Sequence, residues 1–202
     1  LGLYDCINCD LCIAACPNDA IFAYETVPMA TATERIGTDV SGADASGAAR
    51  SPGVGFEIAT EHQLAVFLGA CNECSNCEVY CPEEGAPFRV KESVYPAMES
   101  FSASTADGFF REGDTLHARL GGRELRLDVD AEANRGRLTA AGLSVELRWE
   151  PLEVLTFDPQ QVDAGTPGDS SLDTSGLWRM KTAWESIYHA SRPNPVNPDP
   201  SR

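Results

Sequence analysis

All eight cysteines of this chain fall in two short tracts that share one spacing, C-x2-C-x2-C-x3-C-P: Cys6, Cys9, Cys12 and Cys16 before Pro17, then Cys71, Cys74, Cys77 and Cys81 before Pro82. Three thiols set two residues apart suit a tight loop that wraps three sulfurs around one centre. The three-residue step that follows adds about one helical turn, which points the fourth cysteine away from its own loop. Pro17 and Pro82 then end those turns. A disulfide framework fits poorly, because nothing marks secretion and eight cysteines in 202 residues are not dense. Zinc fits little better, since structural zinc sites pair two-cysteine knuckles.

The spacing is that of the bacterial ferredoxin run, in which three cysteines of one tract and the fourth of the other hold each 4Fe-4S cluster. By that rule Cys6, Cys9, Cys12 and Cys81 ligate one cluster, and Cys71, Cys74, Cys77 and Cys16 the other. Two clusters consume every thiol and staple the two tracts together. Backbone N–H groups turned toward the sulfurs would help to set the potentials.

The tracts DCINCDLCIAACPNDAIF, from Asp5 to Phe22, and ACNECSNCEVYCPEEGAPF, from Ala70 to Phe88, are more particular than a generic ferredoxin. They resemble the carboxy-terminal iron-sulfur region of glutamate synthase small-chain-like flavoenzymes, a group that includes flavin/iron-sulfur subunits ascribed to selenate reductase. The resemblance covers residues 1–92 and weakens beyond. It implies an upstream module carrying FAD and using NAD(P)H, as electron donor, and a redox acceptor protein. Such a module is not encoded in these residues: the only Gly-x-Gly, Gly53 to Gly55, lacks the rest of a dinucleotide fingerprint. Because the chain opens at Leu1 without a methionine, five residues before its first ligand, the expectation is a piece of something longer. After the second cysteine of each tract ferredoxins commonly carry glycine, whereas this chain has Asp10 and Ser75. Aspartate tolerates positive φ moderately and serine less. Neither change removes a ligand.

The expected fold class is α+β: a two-cluster bacterial ferredoxin-like domain, then a small antiparallel β domain and a C-terminal helix. The ferredoxin-like domain is placed at residues 1–97. Within it Ala20 to Tyr24 reads as a strand, with Phe22 and Tyr24 shielding a cluster. Glu57 to Gly69, carrying Leu64, Ala65, Phe67 and Leu68, reads as a short helix starting near Thr60. Between them, 19 of the 28 residues from Pro28 to Gly55 are Ala, Gly, Ser, Thr or Pro. So little apolar surface hardly offsets the ordering entropy, so 28–55 is expected to be a flexible insertion.

A β domain at 98–160 follows from alternation. Leu116, Ala118 and Leu120, then Leu125, Leu127 and Val129, flank Gly121-Gly122 as a hairpin with a primed turn. Leu143, Val145, Leu147 and Trp149 form another strand, and Val154 to Phe157 a further one. Residues 161–174 read as linker. Leu177, Met180, Trp184, Ile187 and Tyr188 trace one face of a helix over 175–190. The four prolines of residues 191–202 suggest an extended, disordered tail.

Fifteen basic residues against 31 acidic ones give a net charge of −16, which argues against binding nucleic acid through its phosphates. The absence of an 18-residue apolar run excludes a helical membrane span, and with no secretory signal the expected location is cytoplasmic. Residues 1–97 hold 4 basic and 14 acidic side chains, so the cysteine half is the more acidic. Two cuboidal clusters add about two negative charges each. His62, His117 and His189 are read as isolated surface residues, and no catalytic constellation emerges. The function these features predict is a relay of single electrons, in which position and potential are the protein's task. A free-standing ferredoxin-like carrier and a non-redox scaffold stapled by its clusters are the alternatives.

Overall fold

A computed structural model describes residues 1–37, 49–159 and 171–199. In chain order the first half holds α1 (Leu11–Ala15), β1 (Ile21–Glu25), β2 (Met29–Thr31), β3 (Glu34–Gly37), β4 (Ala49–Pro52), β5 (Phe56–Ile58), β6 (His62–Phe67), α2 (Asn76–Val79), α3 (Pro87–Val90) and β7 (Glu92–Val94). There follow α4 (Met98–Ala103), β8 (Gly108–Glu112), β9 (Thr115–Leu120), β10 (Arg123–Asp130), β11 (Arg135–Ala140), β12 (Leu143–Arg148), β13 (Glu153–Pro159), β14 (Ser171–Asp173) and α5 (Thr174–Ala183), which continues as a π-helical turn over Trp184–Tyr188. The chain is thus mixed α and β, and among the described residues no helix is long and apolar enough to cross a membrane.

The chain divides into two compact units, each assembled from separated segments. The first comprises Leu1–Ala30, Glu57–Phe110 and Lys181–Arg202; the second, Thr31–Phe56 and Arg111–Met180. This partition differs from a linear succession of domains with boundaries near 97 and 160.

In the first unit β6 is the central strand. It pairs antiparallel with β1, from Ile21 opposite Val66 to Glu25 opposite His62, and parallel with β7, from Ala65 opposite Glu92 to Phe67 opposite Val94. The expected helix over 57–69 is therefore a strand. Leu64, Ala65 and Val66 are all buried in succession, as a strand covered on both faces requires, and a short continuous apolar run cannot distinguish that case from a helix. Leu64 and Val66 share a face with Ile21, against which Cys6, Cys12, Cys77 and Phe88 pack. The π-helical turn lies against β1 and contributes the buried Trp184, Ile187 and Tyr188.

After that turn the chain does not trail away as expected. Asn194 and Asn197 exchange backbone hydrogen bonds of 3.0 and 3.1 Å, while their side-chain amides donate to the carbonyls of Ile187 and Ala190 at 2.7 and 3.0 Å. Asparagine tolerates turns and satisfies the orphan carbonyls of a helix end. The prolines of residues 193–198 accordingly bracket a closed turn, and residues 200–202 lie outside the described residues.

In the second unit β9 to β13 form an antiparallel meander. Gly121 and Gly122 have φ of +61° and +76°, as a primed hairpin turn requires. Leu116, Leu125, Leu127, Leu138, Val145 and Leu147 are buried. A smaller sheet of β14, β3 and β4 joins Ser171 to Gly37 and Glu34 to Pro52. Strands thus occupy much of the stretch expected as a flexible insertion and the last three residues before Thr174 of the expected linker. Ile36 and Ala49 are fully buried there, which a count of small residues does not foresee. Residues 38–48 of that insertion, and residues 160–170, lie outside the described residues.

Candidate metal centre

The two cysteine tracts are one structural motif used twice, 65 residues apart. Asn8, Asp10 and Asp19 have φ of +53°, +58° and +51°; their counterparts Glu73, Ser75 and Glu84 have +55°, +64° and +50°. Left-handed non-glycine residues each store about 1–2 kcal/mol, so three repeated in register mark a loop shape enforced by its surroundings. Ser75 adopts the left-handed turn where glycine is commoner, as does Asp10. The hydrogen bonds repeat as well. Ile13 N donates to Asp10 O and Glu78 N to Ser75 O, both at 3.0 Å; Cys16 N donates to Ile13 O and Cys81 N to Glu78 O, at 3.1 and 3.2 Å.

Each loop winds into its short helix, α1 or α2, and the two helices pack on each other. Every thiol is free of disulfides. The third cysteines, Cys12 and Cys77, are buried, as is Cys6; the second ones, Cys9 and Cys74, are exposed; Cys16, Cys71 and Cys81 are half-buried. Cys16 leaves its own tract and lines one cavity with Cys71, Cys74 and Cys77, walled by Ile21 and Phe88. Cys81 does not line that cavity. The chain just beyond it leans on the first tract: the Ile7 N–H donates to the Glu83 carboxylate at 3.4 Å, and Gly85 sits so close to Leu1 that a Cβ there would lie 2.3 Å from the Leu1 side chain.

Backbone donors face sulfur in both groups. Asn8 N lies 3.4 Å from Cys6 Sγ and Ala20 N lies 3.3 Å from Cys16 Sγ. Burial pushes the Cys12 thiol up to about 11 and raises Cys6 and Cys77 too. Such thiols stay protonated in water, and a metal must displace their protons. The donor set fits two iron-sulfur clusters: eight reduced sulfurs in two like loops, with N–H groups aimed at them. Among the described residues no three His, Cys, Asp or Glu groups close on one metal position.

Three contributors escape a reading of the sequence alone. Phe88 is buried against the cysteines. His62, expected as an isolated surface side chain, places Nε2 3.1 Å from Asp10 Oδ1, while its carbonyl accepts from Asn8 Nδ2 at 2.7 Å. It therefore braces two left-handed residues of the first loop. Lys91 is 3% exposed, and its Nζ donates to the carbonyls of Gly2 and Leu3 at 2.6 and 2.9 Å. Burial lowers its pKa, while Cys6, Asp5, Glu83 and Cys12 pull it back up. A lone lysine between Val90 and Val94 is the only hint the sequence offers. His117 lies in the second unit.

Residues 2–85 match the family model described as a 4Fe-4S dicluster domain. Two curated relatives are similar over 62 residues, 31% of this chain. Both are named "Putative oxidoreductase YgfK": the one from Escherichia coli O157:H7 is 36% identical and the one from Escherichia coli strain K12 is 34% identical. The matched stretch spans 6% of the length of each relative. No solved structure gives a significant match. These likenesses support an iron-sulfur, oxidoreductase-like region at the cysteine tracts.

Proposed function

We propose that this chain is an electron-transfer module of a larger NAD(P)H- and flavin-dependent oxidoreductase in the cytoplasm, of the glutamate synthase small-chain-like kind. Two 4Fe-4S clusters are held crosswise, one by Cys6, Cys9, Cys12 and Cys81 and one by Cys71, Cys74, Cys77 and Cys16. The observation that carries the reading is the shared cavity of Cys16 with Cys71, Cys74 and Cys77. The shortness of the match against much longer relatives supports the view that such a unit works inside a larger enzyme. When bound, the clusters supply reversible one-electron couples. The chain's own residues hold the sulfurs, direct N–H groups at them and keep water away with Ile21, Leu64, Val66 and Phe88. Exposed Cys9 and Cys74 mark where each tract faces solvent, and so where a flavin donor and an acceptor protein would approach. No side chain is required as nucleophile, acid or base.

Anaerobically prepared protein should carry about eight iron and eight acid-labile sulfides, twice the four of each in a [4Fe–4S] cube. Stoichiometric zinc with no iron would overturn the reading. Spin-resonance spectra test the crosswise rule: Cys9→Ser and Cys81→Ser should disturb the same cluster, and Cys16→Ser the other. If Cys9→Ser and Cys81→Ser disturb different clusters, the ligand assignment is wrong.

A further inference from the structure

The two cysteine loops are near copies in backbone shape, yet a buried ammonium lies against the first. Within the first unit a buried ammonium, Lys91 Nζ, sits over the start of the first tract, fixed by the carbonyls of Gly2 and Leu3 at 2.6 and 2.9 Å. The position 65 residues earlier is Thr26, so the repeat does not reproduce the charge. Near the second quartet stands Arg89, whose guanidinium lies 4.9 Å from the Phe88 ring centre, but Arg89 is exposed. A charge in a buried, low-dielectric place acts far more strongly than one screened by water and salt. Backbone N–H groups face sulfur in both proposed quartets, Asn8 N at Cys6 and Ala20 N at Cys16, while the buried Glu92 carboxylate is engaged by the Tyr4 hydroxyl.

We infer that Lys91 makes the two clusters inequivalent, raising the potential of the Cys6-Cys9-Cys12 cluster so that it is the electron-holding end of the relay. This rests on the proposed function and adds the direction of flow. When one electron leaves a reduced flavin or a chemical reductant and enters the first quartet, that quartet gains one negative charge; no bond forms or breaks. The ammonium offsets that charge, and among the described residues the position equivalent to Lys91 in the other repeat is the uncharged Thr26. Electrons then enter at the Cys71-Cys74-Cys77 side and come to rest at the first tract. Lys91 is a positioning residue for charge, not a group that touches a substrate. Asp5 and Glu83, the other charges facing Lys91, oppose the effect only in part, because Asp5 is exposed and Glu83 only half-buried.

The test is a spin-resonance redox titration of the full chain with both clusters loaded, each signal being assigned by its loss in Cys9→Ser or Cys74→Ser. In the unaltered protein the first-tract cluster should be reduced first; reduction of the second-tract cluster first overturns the inference. In Lys91→Met the electron partition ratio between the clusters should fall at least about tenfold, or ~59 mV for one electron, while Lys91→Arg keeps most of it and Arg89→Gln changes it little. Equal shifts of both clusters in Lys91→Met would show a structural role only and refute the charge effect. If Lys91→Met does not fold, the order of reduction in the unaltered protein decides alone. A preparation short of eight iron would refute the proposed function instead, an outcome separate from either result.

Discussion

Ser75 should behave unlike almost any other serine in this protein. Its φ of +64° and ψ of +6° place it in the left-handed region, at the entry to α2, where a side chain costs about 1–2 kcal/mol. Replacing it by glycine removes that strain but adds about 0.5–1 kcal/mol of unfolded-state freedom. Ser75→Gly is therefore expected to stabilise the chain by about 0.5–1 kcal/mol. With a urea slope of about 1–3 kcal/mol/M, the midpoint rises by roughly 0.2–1 M. Ser75→Val, β-branched and stiffer, should lower it instead. Ser102 is the control: it is exposed inside α4, where glycine is destabilising by about 0.5–1 kcal/mol. Anaerobic urea titrations of cluster-loaded protein, followed by far-ultraviolet circular dichroism, compare the two sites. If both glycine variants lose stability alike, the claim that the loop holds Ser75 under strain is refuted.

Leu64→Ala empties a fully buried position against Cys6, Cys12 and Cys77 and should cost about 2–5 kcal/mol, read as a lower urea midpoint together with faster iron release. His62→Ala should loosen the first loop, so that the cluster assigned by Cys9→Ser broadens in spin-resonance spectra while the other is unmoved. Burial opposes ionisation of Asp128, but hydrogen bonds from Arg126 and Thr115 win and hold its carboxyl below the usual value of 3.8. That stabilisation is present above pH 3.8 and is lost as pH falls through the lowered value, so Asp128→Asn should flatten the acid limb of the stability curve there. Burial, helped by Arg126, lowers His117 below 6.5. Stability from its neutral form is full above pH 6.5 and declines as pH falls toward the lowered value, a slope that His117→Gln should remove in thermal melts.

What could be read from the sequence depended on how locally each feature is encoded. The Gly121-Gly122 turn between two alternating runs fixes both partners and register within sixteen residues, and β9 and β10 appear there. The cysteine spacing carries its loop geometry with it, and the two tracts match position by position. Features set by distant partners were hidden. Strand β6 is a central strand whose successive residues Leu64, Ala65 and Val66 are all buried, so its run looks helical alone. Strand β11 has Leu138 as its one large buried side chain and gives no alternation to read. The His62–Asp10 contact spans 52 residues and the Lys91 contacts with Gly2 and Leu3 span 89 and 88. No local pattern announces contacts of that reach.

The interleaving of the two units bears on synthesis. The first cysteine loop leaves a ribosome well before the turn that lies against β1, which is built from Trp184–Tyr188. Between those events the thread leaves the unit and returns to it twice. Truncation after residue 97 would strip that cover along with β8, so a minimal fragment bearing all the sulfurs would still expose the flank of its central sheet. Iron delivery in the cell is best timed to the finished polypeptide, and shortened versions made for spectroscopy should retain the stretch through Asn197.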